Sequence, residues 1–172
     1  MRKYLKIIFS WLLVIIWMGV IFFFSSMPSK ESNFKSEKTI NKVVEKTLVK
    51  TNDLGITDKH PSSKKMKLFV EYLNYPLRKC MHASIYFILA LLVFNALRFT
   101  NTINIKRYFL TLFICFFYAL LDEYHQTFVV GRTGQLMDVF IDTFGSLVGL
   151  CILIGITKLF KRIKSKNLNL SI

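Results

Sequence analysis

Apolar residues are concentrated in four blocks along the chain, and Lys- and Arg-rich segments lie between and outside them. The blocks cover residues 7–24, 81–97, 108–121 and 136–156. A helix needs roughly 20 apolar residues to cross a bilayer, so the third block qualifies only if its helix continues to residue 128. The pattern predicts an all-α integral membrane protein with four transmembrane helices, over about 7–24, 81–97, 108–128 and 136–156.

The Lys-rich segment 29–80 also carries a helical pattern. Apolar residues recur at helical spacing within 37–50 and again from Met66 to Leu73. Turn sequences at 52–55 and 60–63 separate these stretches. We expect two amphipathic helices in this first loop. Lysines on the polar face fit either the headgroup plane of an anionic membrane or the outer face of a solvated helical hairpin.

Composition supports a membrane protein more than a basic soluble one. The 172 residues are 53% apolar and hold 24 Lys+Arg against 10 Asp+Glu, a net charge of +14. This excludes disordered, collagen-like and disulfide-scaffold classes and leaves one domain, residues 1–172. The cations flank the apolar blocks, so no nucleic-acid partner is expected. Cys80, Cys115 and Cys151 form no CxxC pair and are expected to be free thiols.

The distribution of cations predicts the orientation. Basic residues precede the first block, occupy the 98–107 loop and fill the tail, 158–172, whereas the 122–138 connection has one. The positive-inside rule and an even number of spans then put both termini in the cytoplasm. The Lys-rich first loop would lie outside, which conflicts with the rule.

With this topology the polar residues of all four spans gather at one face of the membrane. They are Ser25 and Ser26, then Lys79 and His82, then Asp122, Glu123, His125 and Gln126, and finally Arg132, Asp138 and Asp142. Asp138 and Asp142 share a helical stripe with Gly145 and Gly149, and small residues allow close helix packing. This stripe should therefore face the helix bundle.

Carboxylates inside a span each cost roughly 2.5–3.5 kcal/mol and are usually paired or functional. Asp138 and Asp142 would also repel each other, so we expect Arg132, Lys79 or His82 to compensate them, or one of them to hold a proton. The order Glu123-x-His125 differs from the His-Glu-x-x-His helix of zinc proteases. No metal or cofactor is expected.

Several segments together resemble the VanZ-like family of bacterial membrane proteins. They are Phe24-Ser25-Ser26-x-Pro28, Arg78-Lys79-x-x-His82-x-x-x-Tyr86, Asp122-Glu123-x-His125-Gln126 with Gly131-Arg132, and Asp138-x-x-x-Asp142 with the two glycines. The resemblance implies a small multi-pass protein of the cytoplasmic membrane, linked through the name-giving member to teicoplanin resistance. Met27 replaces a polar residue that is frequent in the family, and Asp142 replaces a common Asn.

Three functions fit these residues. The first lowers susceptibility to lipid-tailed glycopeptides by binding an anionic lipid or lipid-linked cell-wall precursor. Lys79 and Arg132 would pair with phosphate, and the acidic and polar residues would orient these two cations. The predicted binding set is Lys79, His82, Glu123, His125, Gln126, Arg132, Asp138 and Asp142. The second is an enzyme that modifies such a lipid, with His82 or His125 and Asp122 or Glu123 as acid and base. The third is proton-coupled transport through Asp138 and Asp142.

Overall fold

The chain is seen in a computed structural model that describes residues 2–28, 63–100 and 102–169, with residues 38–40, 42 and 46 between the first two ranges. Four long helices account for most of these residues: α1, Arg2–Ser25; α2, Ser63–Phe99; α3, Asn104–Gln126; and α4, Leu136–Asn169. The described ranges contain no strand. The predicted all-α class is confirmed for them. Most of the first predicted loop helix, 37–50, lies outside the described residues.

Three helical segments are long and apolar enough to cross a membrane: Arg2–Ser25, Tyr72–Phe99 and Leu136–Phe160. The outer surface of the bundle carries many large apolar side chains, such as Ile15, Phe113 and Phe144. A soluble protein rarely exposes so much contiguous apolar surface. Helix α3 is not among the three segments, because Lys106 and Arg107 at its start and Asp122 and Glu123 near its end shorten its apolar run.

Helix α2 begins earlier than the sequence predicts. The expected start near residue 81 is wrong, since one helix runs from Ser63 to Phe99 with Pro76 inside it. A proline removes one intrahelical hydrogen bond, but the turns on either side retain theirs. The second half of segment 29–80 is therefore continuous with the membrane span. Arg78 and Lys79 lie within the helix rather than ahead of it.

Helix α2 is the centre of the bundle and contacts all three other helices, most extensively α4. A Cβ on Gly145 of α4 would overlap the backbone of Ala83, and one on Gly149 would lie 3.0 Å from the carbonyl oxygen of Phe87. Ser146, between them, donates a hydrogen bond of 3.3 Å to the Tyr86 carbonyl. The expectation that the glycine stripe faces the bundle is confirmed.

Two hydrogen bonds from aromatic side chains attach α1 to the bundle. Trp17 Nε1 donates to the carbonyl of Ile85 on α2 at 2.9 Å. The Tyr118 hydroxyl of α3 donates to the carbonyl of Met18 at 2.5 Å. Polar contacts between helices substitute for the hydrophobic effect, which is absent between helices in lipid.

Replacing Gly145 with Ala should destabilise the bundle, because the added methyl group overlaps the Ala83 backbone and forces α2 and α4 apart. We expect a loss of about 1–3 kcal/mol in the free energy of unfolding, the usual cost of overpacking. Gly155→Ala is the matched control, since a Cβ at that position would meet nothing within 4 Å. Denaturant unfolding in detergent micelles measures both. Equal stability of the two variants would contradict the close crossing.

Candidate functional site

Polar side chains from all four helices converge at one end of the bundle. This end is formed by the last turns of α1 and α3, the first turns of α4 and the Lys79–Tyr86 part of α2. We call the group the polar cluster; its members are Ser25, Lys79, His82, Tyr86, Asp122, Glu123, His125, Gln126, Arg132, Asp138 and Asp142. The structure thus brings together the helix ends that the sequence predicts to be neighbours.

An ion pair between Lys79 and Asp138 links α2 to α4 within this cluster. The Lys79 ammonium donates a hydrogen bond to the Asp138 carboxylate, and both side chains are largely buried. The ring of Tyr75 lies 5.2 Å from the same ammonium and adds a cation–π contact. Of the cations expected to compensate the two acids of α4, Lys79 therefore compensates Asp138.

Arg132 joins α1, α3 and the loop before α4. Its Nε donates to the carbonyl of Met27 at 3.1 Å, and a longer contact of 3.5 Å joins Nη2 to the carbonyl of Phe24. Its Nη1 donates to Gln126 Oε1 at 3.0 Å. The guanidinium thus donates to carbonyls at and just after the end of α1, where a helix leaves its last carbonyls short of intrahelical donors. Burial lowers the pKa of Arg132 from its ordinary value, as does nearby Arg78, but an arginine stays charged.

Glu123 positions the start of α4. Its Oε1 accepts a hydrogen bond of 2.5 Å from the backbone N–H of Gln135, the residue before the helix. The connection turns at Gly131, whose φ of 76° favours glycine. Glu123 is buried, and its carboxylate connects the end of α3 to the beginning of α4. This contact is structural and could not be read from the sequence.

The two histidines occupy different parts of the cluster. His125 packs its ring against Phe22 of α1, with ring centroids 4.3 Å apart, and its Nδ1 is buried without a hydrogen-bond partner. His82 is partly buried on α2 and interacts electrostatically with Arg132 and Asp138. The structure gives no direct hydrogen bond from either imidazole to Asp122 or Glu123 among the described contacts.

The most deeply buried side chains of the cluster carry their polar atoms as oxygens. Asp122 and Asp142 are 3% and 2% exposed, and Ser25 and Tyr86 are 1% and 0% exposed. One oxygen of each side chain, Asp122 Oδ1, Asp142 Oδ1, Ser25 Oγ and Tyr86 Oη, has no hydrogen-bond partner of normal geometry. Gln126 Nε2 donates to the other Asp122 oxygen at 3.2 Å. Buried polar atoms without partners are rare in folded proteins, and each calls for an explanation such as strain, a bound water or a bound ion.

Sequence reasoning missed the roles of Tyr86 and Ser25. Tyr86 lies one helical turn beyond His82, so its position on the inward face of α2 was available as a signal. The sequence places Ser25 among the polar residues at this face but does not predict its partner, and its hydroxyl lies within hydrogen-bonding reach of Asp122. Among the described residues, no group of three or more His, Cys, Asp or Glu side chains is arranged to hold a metal ion.

An apolar groove of about 440 Å³ opens on the outer face of the bundle next to the cluster. Ala83, Ser84, Phe87 and Ile88 of α2 line one side, and Phe144, Gly145 and Val148 of α4 line the other. The groove starts four residues after Lys79, which corresponds to about 6 Å along a helix. The charged residues of the polar cluster and the apolar groove are therefore adjacent.

Comparison with known protein families gives a match to VanZ/LLP1, whose family model covers residues 9–161 of the chain. Comparison with curated proteins and with solved structures gives no significant match.

A double-mutant cycle on Lys79 and Asp138 should reveal strong coupling between α2 and α4. Each single change to Ala leaves the opposite charge largely buried and unpaired, so the two losses should not add. We expect a coupling free energy of about 0.5–3 kcal/mol from unfolding in detergent. Arg98→Ala combined with Asp138→Ala is the control pair, because Arg98 is exposed at the other end of α2. Additive losses for the Lys79 cycle would refute the ion pair.

Proposed function

Because the chain belongs to the VanZ/LLP1 family, we propose that it is a multi-pass protein of the bacterial cytoplasmic membrane that lowers susceptibility to teicoplanin-type glycopeptides. It does so by binding an anionic lipid or lipid-linked cell-wall precursor at the polar cluster. The headgroup occupies the charged end of the bundle, and the hydrocarbon chain lies in the adjoining groove.

The proposal includes α3 as a fourth span and places both termini in the cytoplasm. Asp122, Glu123 and Gln126 of α3 are buried against other helices, so their polar groups are shielded from lipid. Phe109, Phe113 and Phe117 form its exposed face. A helix with this distribution is compatible with hydrocarbon on one side and a polar interior on the other.

Two cations support recognition of a phosphate. An arginine has five N–H donors, and Arg132 uses three of them in the contacts described above. An ammonium has three donors, and Lys79 directs one at Asp138. Both groups retain donors for phosphate oxygens, and Arg132 is suited to charge-assisted pairs with them. The neighbouring carboxylates are suited to accept hydrogen bonds from hydroxyl or amine groups of a larger headgroup.

The single observation that carries the proposal is the position of the apolar groove, one helical turn from the Lys79–Asp138 ion pair. A lipid likewise has a charged headgroup directly next to a hydrocarbon chain. A water-soluble ligand would have no use for a groove that opens toward the bilayer. The adjacency therefore favours an amphiphile over a free phosphate.

An enzyme acting on the same lipid is the second candidate, favoured by the unpartnered Nδ1 of His125. This imidazole is near the Asp122 carboxylate, which interacts with it electrostatically. A free ring nitrogen next to a carboxylate is the arrangement that general acid–base catalysis uses. A binding protein would release the lipid chemically unchanged, whereas an enzyme would release a modified lipid.

Ser84→Phe should weaken lipid binding, since the phenyl ring fills the groove without touching the charged residues. We expect at least a tenfold rise in the dissociation constant for a lipid-linked cell-wall precursor in native mass spectrometry, equivalent to about 1.4 kcal/mol. Cys151→Phe, at an exposed position of α4 outside the groove, is the matched control. Cells producing Ser84→Phe should also lose teicoplanin tolerance. Unchanged affinity in this variant would overturn the groove as the chain-binding site.

Incubation of purified protein with radiolabelled precursor separates binding from catalysis. The binding proposal predicts that the lipid is recovered chemically intact by chromatography. A covalent product that is abolished by His125→Gln would instead establish the enzyme. Phe22→Leu serves as a control there, because it removes the ring packed on His125 but leaves the imidazole.

A further inference from the structure

Each of the four helices contributes one buried oxygen to the centre of the polar cluster, and none of the four has a hydrogen-bond partner of normal geometry. These are Ser25 Oγ from α1, Tyr86 Oη from α2, Asp122 Oδ1 from α3 and Asp142 Oδ1 from α4. Tyr86 interacts electrostatically with both carboxylates, and Ser25 lies within hydrogen-bonding reach of Asp122. The four side chains are therefore neighbours, and all are at least 97% buried.

The charges around this centre do not balance. Asp142 faces the carboxylates of Asp122, Asp138 and Glu123 and the ammonium of Lys79, and Asp122 faces His125 and Arg132. Lys79 is paired with Asp138, and the described hydrogen bonds of Arg132 go to Gln126 and to carbonyls of α1. Arg78 interacts electrostatically with His82 and with Arg132. No described ion pair reaches the carboxylates of Asp122 or Asp142.

Two neighbouring carboxylates that are shielded from water cannot both stay charged without a positive partner. Oxygen-only surroundings of carboxylate and hydroxyl groups suit a hard cation rather than a soft one. A hydroxyl group has lone pairs that can face a cation as well as an O–H that donates a hydrogen bond. The geometry therefore calls for one positive charge among the four oxygens.

We propose that Ser25, Tyr86, Asp122 and Asp142 form a binding site for one monovalent cation, supplied as a proton shared by the carboxylates or as a sodium ion. A sodium ion would give each of the four helices one ligand to the same charge. A shared proton would bridge the two carboxylates, and the Ser25 and Tyr86 hydroxyls would donate their own hydrogen bonds to them. It lies beneath the headgroup site and does not depend on lipid binding. Ionisable groups inside membrane spans commonly serve as proton or ion sites.

The test is the thermal unfolding midpoint of the full-length protein in phosphatidylcholine nanodiscs, measured across a pH series in sodium chloride and in choline chloride. In choline, raising the pH removes the proton and leaves two charged carboxylates, so the midpoint should fall. Sodium ions should restore it if they fill the site, and should have no effect if only the proton does. Trp17 is a suitable fluorescent reporter, because its indole N–H donates a hydrogen bond to the carbonyl of Ile85, the residue before Tyr86.

Asp142→Asn should abolish both the pH and the sodium dependence, because the neutral amide replaces the charge that needs the cation. Asp138→Asn is the matched control, since it lies one turn away on the same helix and is paired with Lys79. This control should lower the midpoint and keep its dependence on pH or sodium. If Asp142→Asn does not fold, Asp122→Asn provides the same comparison.

Infrared spectroscopy of the wild type tests the proton directly. A carboxylic acid C=O band that is absent from Asp142→Asn or Asp122→Asn supports the shared proton, and a sodium-dependent midpoint without that band supports the sodium ion. The proposal fails if the wild-type midpoint is independent of pH and sodium, or if both Asn variants keep the wild-type dependence. Teicoplanin tolerance can be lost in Ser84→Phe without altering this result, so the two proposals fail separately.

Discussion

The ion pair between Lys79 and Asp138 is the interaction on which the rest of the site depends. Hydrocarbon does not solvate charge, so an acid or base inside a membrane bundle must find its partner on another helix. This pair joins α2 to α4, the two helices with the largest shared interface. It fixes the register of these helices at the same end where Arg132 joins α1 to α3 through main-chain carbonyls and Gln126. Charge neutralisation and helix assembly are therefore achieved by the same contacts.

Close packing makes this arrangement possible. Gly145 lets α4 approach the α2 backbone at Ala83, one turn beyond Lys79, and this approach buries Asp142 at the same level. Larger residues would separate the helices and admit lipid or water to the carboxylates. Because Gly145 has no side chain, it also leaves room for the groove that we assign to a hydrocarbon chain. The helix-packing surface and the proposed lipid groove thus both depend on one stripe of small residues.

Much of the fold follows from the sequence, because apolar block length and helical spacing are local properties. The four helices and the inward direction of Gly145 and Gly149 were predictable on this basis. The continuity of α2 through Pro76 was not, since a proline is a local signal for a break and the neighbouring turns override it.

In the site, spacing predicted that Asp138 and Asp142 share a stripe, but not which cation reaches which acid. The pairing with Lys79 and the hydrogen bond from the Gln135 backbone to Glu123 depend on how separate helices meet. The four-span topology and the binding roles of the cluster stay predictions.

Accessibility of single cysteines in intact cells tests the central claim that these polar ends share one side of the membrane. In a variant without the three native cysteines, Met27→Cys, Val130→Cys and Ile103→Cys are introduced one at a time. Val130 is exposed in the connection between α3 and α4, and Ile103 is exposed between α2 and α3. A membrane-impermeant thiol reagent should label the Met27 and Val130 variants from outside and the Ile103 variant only after permeabilisation. Labelling of the Met27 and Val130 variants from opposite sides would contradict the account, because no common cluster could then form.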